Sequence, residues 1–92
     1  MRPLTLAYDP KNYPEFEAAT LLALGDGYIV IVGLDQLTKL GSADARRLID
    51  LWRRVRDVGA KLFLRTDRSD ILREIESRAL DCFYTVIGTA VA

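Results

Sequence analysis

The feature that most restricts how this chain can fold is the run Tyr28-Ile29-Val30-Ile31-Val32, in which four β-branched residues follow one another without a polar break. Two carbons on Cβ favour extended backbone, and an uninterrupted run of this kind reads as a strand buried on both faces. Such strands belong to parallel sheets covered by helices. The helices predicted before and after the run fit that reading.

Ahead of the run, Leu4-Thr5-Leu6-Ala7-Tyr8 alternates with period two and predicts a strand with Leu4, Leu6 and Tyr8 on one face, ended by Asp9-Pro10. Asn12 is a suitable helix cap, with Glu15 three residues on, and Pro14 is tolerated in a first turn. That helix stops at Gly25-Asp26-Gly27, and its second half, residues 18–24, is apolar nearly all round, so more than one side needs cover. After the β-branched run, Leu34, Leu37 and Leu40 are spaced to pin residues 33–41 to the core.

Ser42 is predicted to cap the longest helix, which extends to Val58 and ends at Gly59. Ala45, Leu48, Ile49, Trp52 and Val55 form its inner stripe, and Arg46, Arg47, Asp50, Arg53, Arg54 and Asp57 its outer face. Asp50–Arg54 and Arg53–Asp57 stand four apart, each pair adding about 0.2–0.5 kcal/mol at most. Lys61-Leu62-Phe63-Leu64-Arg65 predicts the next strand. Ser69 then caps a helix with Ile71, Leu72, Ile75 and Ala79 inward, and residues 82–87 predict a last strand. The order β-α-β-α-β-α-β implies one α/β domain over residues 1–92, with a mostly parallel four-stranded sheet, three helices and right-handed crossovers.

Composition narrows the function. Thirteen basic and thirteen acidic residues cancel. A nucleic-acid binder needs a surplus of positive charge to displace phosphate counterions, so nucleic acid and anionic membrane are not the expected partners. No apolar stretch approaches the ~20 residues of a membrane helix. A single cysteine and no charged-then-apolar leader imply the reducing cytoplasm. The absence of histidine removes Ser-His-Asp and Cys-His catalysis and the HExxH zinc site.

The remaining chemistry-bearing residues have structural readings. Gly25-Asp26-Gly27 follows a helix and precedes a strand, the reverse of a phosphate loop, and reads as a helix stop with a turn. Cys82, beside Leu80, Phe83 and Tyr84, reads as a buried structural thiol, and Trp52 as core packing. No carboxylate pair stands out as an acid/base couple, so neither a catalytic residue, a metal nor a cofactor is expected. Ser42 can do more than cap: a phosphate there would meet the positive helix end and add up to about two negative charges.

Several features in common register resemble the STAS domain of bacterial anti-sigma-factor antagonists. These are Ile29-Val30-Ile31-Val32, the leucines at 34, 37 and 40, Gly41-Ser42-Ala43-Asp44, Gly59-Ala60, Leu62-Phe63-Leu64 and Ser69-Asp70, within residues 26–84. The resemblance implies a non-catalytic protein-interaction module that regulates a partner combining serine kinase and anti-sigma factor. It places the phosphoacceptor at Ser42, and the partner-binding face at Gly41, Ser42, Ala43, Asp44, Arg46 and Arg47. Gly41 stands where the family has aspartate, Ala43 where it has a second hydroxyl residue, and Asp44 where it has glycine. Family members also serve as constitutive accessory subunits of transporters and signalling complexes, which is the alternative. Compared with the family this chain reads as lacking a first strand and a last helix. The sheet edge and apolar helix face so exposed imply cover by a second copy or a partner.

Overall fold

The computed structural model describes residues 2–88. The elements follow in the order β1 (Pro3–Ala7), α1 (Tyr13–Gly25), β2 (Ile29–Gly33), α2 (Ser42–Asp57), β3 (Leu62–Arg65), α3 (Ser69–Ser77), a 3-10 turn (Leu80–Cys82) and β4 (Thr85–Ile87). All three strand pairings are parallel, and the strands lie side by side in chain order, β1-β2-β3-β4. The α/β class, the parallel sheet and the three helices are those the alternating pattern predicts.

That strand order has a consequence for burial. Each crossover advances one strand in the same direction, and right-handed crossovers then all pass over the same face. The pairing register agrees. Leu4, Val30 and Leu62 form one row across the sheet, and Leu6, Val32, Leu64 and Val86 another. These two rows hold the strand residues that are buried or packed on the core. The intervening rows, Thr5–Ile31–Phe63–Thr85 and Ala7–Gly33–Arg65–Ile87, lie on the other face, where no residue is fully buried. The expectation that β2 is buried on both faces is therefore corrected: Val30 and Val32 are sealed, while Ile29 and Ile31 are only half-buried. An apolar run reports affinity for a sheet, not how many layers lie against it.

The helices complete the core from that single side. Leu48, Leu51 and Val55 of α2, Ile71 and Ile75 of α3, and Phe16 and Ala23 of α1 are buried against the inner rows. Leu34, Leu37 and Leu40 are buried as their spacing predicts. Leu51 belongs to the inner stripe as well, and Ile49 and Trp52 sit at its margin, half-buried. On α1 the second side of the apolar segment stays open, with Ala18, Ala19 and Leu22 exposed. The outer face of α2 pairs differently from the i,i+4 expectation. Arg53 meets Asp50 at 3.7 Å, and Arg54 reaches across to Glu17 of α1 at 3.0 Å. Gly27 (φ 88°) and Gly59 (φ 72°) end α1 and α2 in left-handed backbone, where only glycine is unstrained.

The chain after α3 departs most from its sequence reading. The predicted strand over residues 82–87 begins only at Thr85. Leu80, Asp81 and Cys82 form the 3-10 turn instead, which buries Leu80 and leaves the Cys82 thiol exposed. The expectation of a buried cysteine fails for that reason. Ala79 is not on the inner face of α3 either; it is exposed, one residue past the helix cap, with φ 57°. A left-handed alanine costs roughly 1–2 kcal/mol, and glycine gives part of that back as unfolded-state entropy. Ala79→Gly is therefore expected to stabilise the protein by about 0.5–1 kcal/mol, measured by urea unfolding. A loss of stability would mean that the methyl group is held by contacts the fold does not show.

Candidate functional site

The N-terminal ends of the helices and the carboxyl ends of the strands meet at one end of the sheet, and the sequence-derived face at Gly41–Arg47 lies there. The stretch leading to α2 is tied down by three long-range contacts. Asp35 accepts hydrogen bonds from the Thr66 hydroxyl and the Asp67 N–H, both at 2.9 Å. Arg68 donates to the Leu37 carbonyl at 2.5 Å and pairs with Asp70 at 2.7 Å, which holds the Asp70 carboxyl below its ordinary range. Arg78 donates through Nε to the Leu40 carbonyl at 3.2 Å. Together with the buried leucines, these bonds place Gly41 at the start of α2.

Gly41, not Ser42, is the cap residue; Ser42 is the first residue inside the helix. The same displacement occurs at α3, where Arg68 takes the cap position assigned to Ser69. Asn12 does precede α1, but its side chain makes no cap bond. Asp9 holds that turn instead, accepting from the N–H groups of Lys11 and Asn12. With no side chain at Gly41, the end of α2 is served from within by Asp44, whose Oδ2 accepts the Gly41 N–H at 3.1 Å. A carboxylate at that place also complements the positive end of the helix.

Asp44 is bound on a second side. Its Oδ1 accepts a hydrogen bond from the hydroxyl of Tyr8, 2.8 Å away, and Arg47 stands 3.8 Å off. Tyr8 is 1% exposed, and burial, with the Asp44 hydrogen bond as a further contribution, pushes its phenol up to about 12. At neutral pH it is therefore a protonated donor. Tyr8 packs edge-on against Phe16 at 5.4 Å and against Tyr13 at 6.3 Å. Arg47 lies over the Tyr13 ring at 5.6 Å, and Tyr13 donates to the Arg47 carbonyl at 3.1 Å. Burial, and then the neighbouring Glu17, raise the Tyr13 phenol well above the ordinary tyrosine range.

The six residues of the sequence-derived face thus divide. Asp44 and Arg47 turn toward the aromatic cluster between α1 and α2, Gly41 is half-buried at the cap, and Ser42, Ala43 and Arg46 are exposed. Ser42 and Arg46 open onto a shallow groove between α2 and the end of α3, lined also by Ile49, Arg53 and Arg78. Three guanidinium groups face this groove against one carboxylate, Asp50. Sequence reasoning missed Tyr8, Asp35 and Arg78 as partners of this end. Each acts across more than thirty residues of chain, a separation that no periodicity encodes.

Among the described residues no three His, Cys, Asp or Glu side chains converge on a point that could hold a metal ion, and no helix is long and apolar enough to cross a membrane. Comparison with family models, curated proteins and solved structures finds no match to this chain.

Proposed function

We propose that this chain is a non-catalytic protein-binding module of the anti-sigma-factor-antagonist type, docking on a serine-kinase-like partner through the exposed start of α2 and switched by phosphorylation of Ser42. The observation that carries this reading is the exposure of Ser42 at the positive end of a helix, with a hydroxyl that makes no side-chain hydrogen bond among the described residues. Arg46 and Arg78, which line the same groove, supply positive charge for a phosphate or for an acidic surface of the partner. The ties from Arg68, Arg78 and Asp35 support it further, since a rigid end loses little entropy on binding.

One observation favours the constitutive form of the same function, a permanent accessory subunit of a transporter or signalling complex. Asp44 already occupies the helix start with its carboxylate, which would stand beside a phosphate on Ser42 and oppose it. Apolar surface remains for either kind of partner, or for a second copy, at Leu22, Val58 and Ile87.

Incubation with ATP and the serine-kinase anti-sigma factors of the source cell, followed by intact-mass measurement, separates the two forms. The switch predicts the mass gain of a single phosphoryl group, lost in Ser42→Ala, and weaker binding of the phosphorylated form. Tight binding without any mass gain selects the constitutive form. Failure of Arg46→Glu to weaken binding would remove this face from the function.

A further inference from the structure

At the opposite end of α2 from Ser42, about 20 Å along the helix axis, lies a second recess that the proposed docking face does not use. It is a cleft of about 340 Å³ where α2, the start of β3 and the 3-10 turn come together. Three aromatic residues line it: Phe63 of β3, Trp52 of α2 and Phe83, the last two meeting edge-to-face at 5.0 Å. Phe83 reaches Trp52 because the left-handed Ala79 turns the chain back into the 3-10 turn. Two cations complete the lining. The Arg56 guanidinium stacks over the Trp52 ring at 4.8 Å, and Lys61 makes no ion pair among the described residues. Among the described residues no carboxylate lines the cleft. Among the described residues Arg56 forms one ion pair, with Asp57, at 3.9 Å and largely exposed.

We infer that this cleft binds a small planar aromatic anion, an aromatic ring bearing a carboxylate or phosphate. The volume falls within the range of small-molecule sites. The half-buried faces and edges of Trp52 and Phe83 provide the flat apolar surface that a ring occupies. Lys61, unpaired among the described residues, and Arg56, whose long, exposed pair with Asp57 offsets its charge only weakly, provide positive charge for the anion, and stacking on the indole holds Arg56 in place before binding. A neutral ring would leave the cations without a partner, and a simple inorganic anion would leave the aromatic surface wet. The inference stands apart from the docking face and survives if that face proves wrong.

Trp52 is the only tryptophan, so its indole N–H gives a single, unambiguous cross-peak in a proton–nitrogen correlation spectrum. The protein is titrated with adenosine 5′-monophosphate against adenosine, and with indole-3-carboxylate against indole. The expected result is saturable movement of the Trp52 indole and Lys61 amide peaks, with Kd below about 1 mM for at least one anion. Whichever anion binds identifies phosphate or carboxylate as the charged group. Each neutral parent is expected to bind at least about tenfold more weakly. Arg56→Gln and Lys61→Gln change exposed side chains and should keep the fold, checked by thermal unfolding, yet each should weaken the anion at least about fivefold. The inference is overturned if no probe moves the indole peak, if neutral parents bind equally well, or if both variants retain full affinity.

Discussion

Asp44→Ala is expected to destabilise the protein by about 3 kcal/mol, although Asp44 lies in the first turn of a surface helix where a carboxylate is ordinarily worth well under that. The reason is what the carboxylate holds. Losing the bond to the Gly41 N–H removes the one side-chain bond that, among the described residues, serves the start of α2, worth about 1 kcal/mol. The larger part comes from Tyr8, whose hydroxyl would be stranded without an acceptor in a residue that is 1% exposed, a penalty of about 1–3 kcal/mol. The ion pair with Arg47, 3.8 Å long and 41% exposed on the arginine side, adds little. In a domain of this size the sum lowers the melting temperature by roughly 15 °C.

The double variant Asp44→Ala/Tyr8→Phe tests the division. Removing the stranded hydroxyl should restore about 1–2 kcal/mol relative to Asp44→Ala alone. Strict additivity of the two single changes, within about 0.5 kcal/mol, would show that the hydrogen bond carries no special weight. Because Asp44 faces Tyr8, while Ser42 and Arg46 face outward, the stability loss and any loss of partner binding can be separated. Arg46→Glu should affect binding with stability nearly intact.

Gly88→Ala is the second substitution expected to have a large effect, near 3 kcal/mol, and it acts by sterics alone. A Cβ built on Gly88 would stand 2.0 Å from the carbonyl oxygen of Thr66. The obstacle is backbone, so no rotamer change relieves it. Either the end of β4 or the turn after β3 must move. Moving β4 strains the bond from the Thr66 N–H to the Ile87 carbonyl and the pairing of Ile87 with Arg65. Moving the turn disturbs Thr66, which is buried and bonded through its hydroxyl to Asp35. Hydrogen exchange provides the local readout: the Thr66 amide should lose protection before the amides of β1 and β2. Unchanged stability would mean that the close approach of Gly88 to Thr66 does not exist in solution.

Much of the fold follows from local pattern. Period-two alternation at Leu4–Leu6, the β-branched run at Ile29–Val32 and the apolar stripe of α2 each depend on neighbours within a few residues, which is why they are legible without a structure. The β-α alternation then leaves a parallel sheet as the economical arrangement, and the structure has one. The leucines at 34, 37 and 40 were readable for a related reason. A connection carrying three apolar residues has to place them in the core, whatever its path.

What depended on the assembled molecule was everything set by pairs of elements. The chain order of the strands puts all the helices on one side, so Ile29 and Ile31 lie on a face that their composition alone would have buried. Tyr8 and Asp44 meet across thirty-six residues, and Trp52 and Phe83 across thirty-one, distances at which periodicity carries no information. The 3-10 turn that exposes Cys82 follows from burying Leu80 and aligning a short β4, not from the apolar run itself. Sequence decides which residues seek the interior, because transfer from water depends on the side chain alone. Tertiary packing decides which of them reach it and which polar groups they face, because that depends on where the other elements leave room.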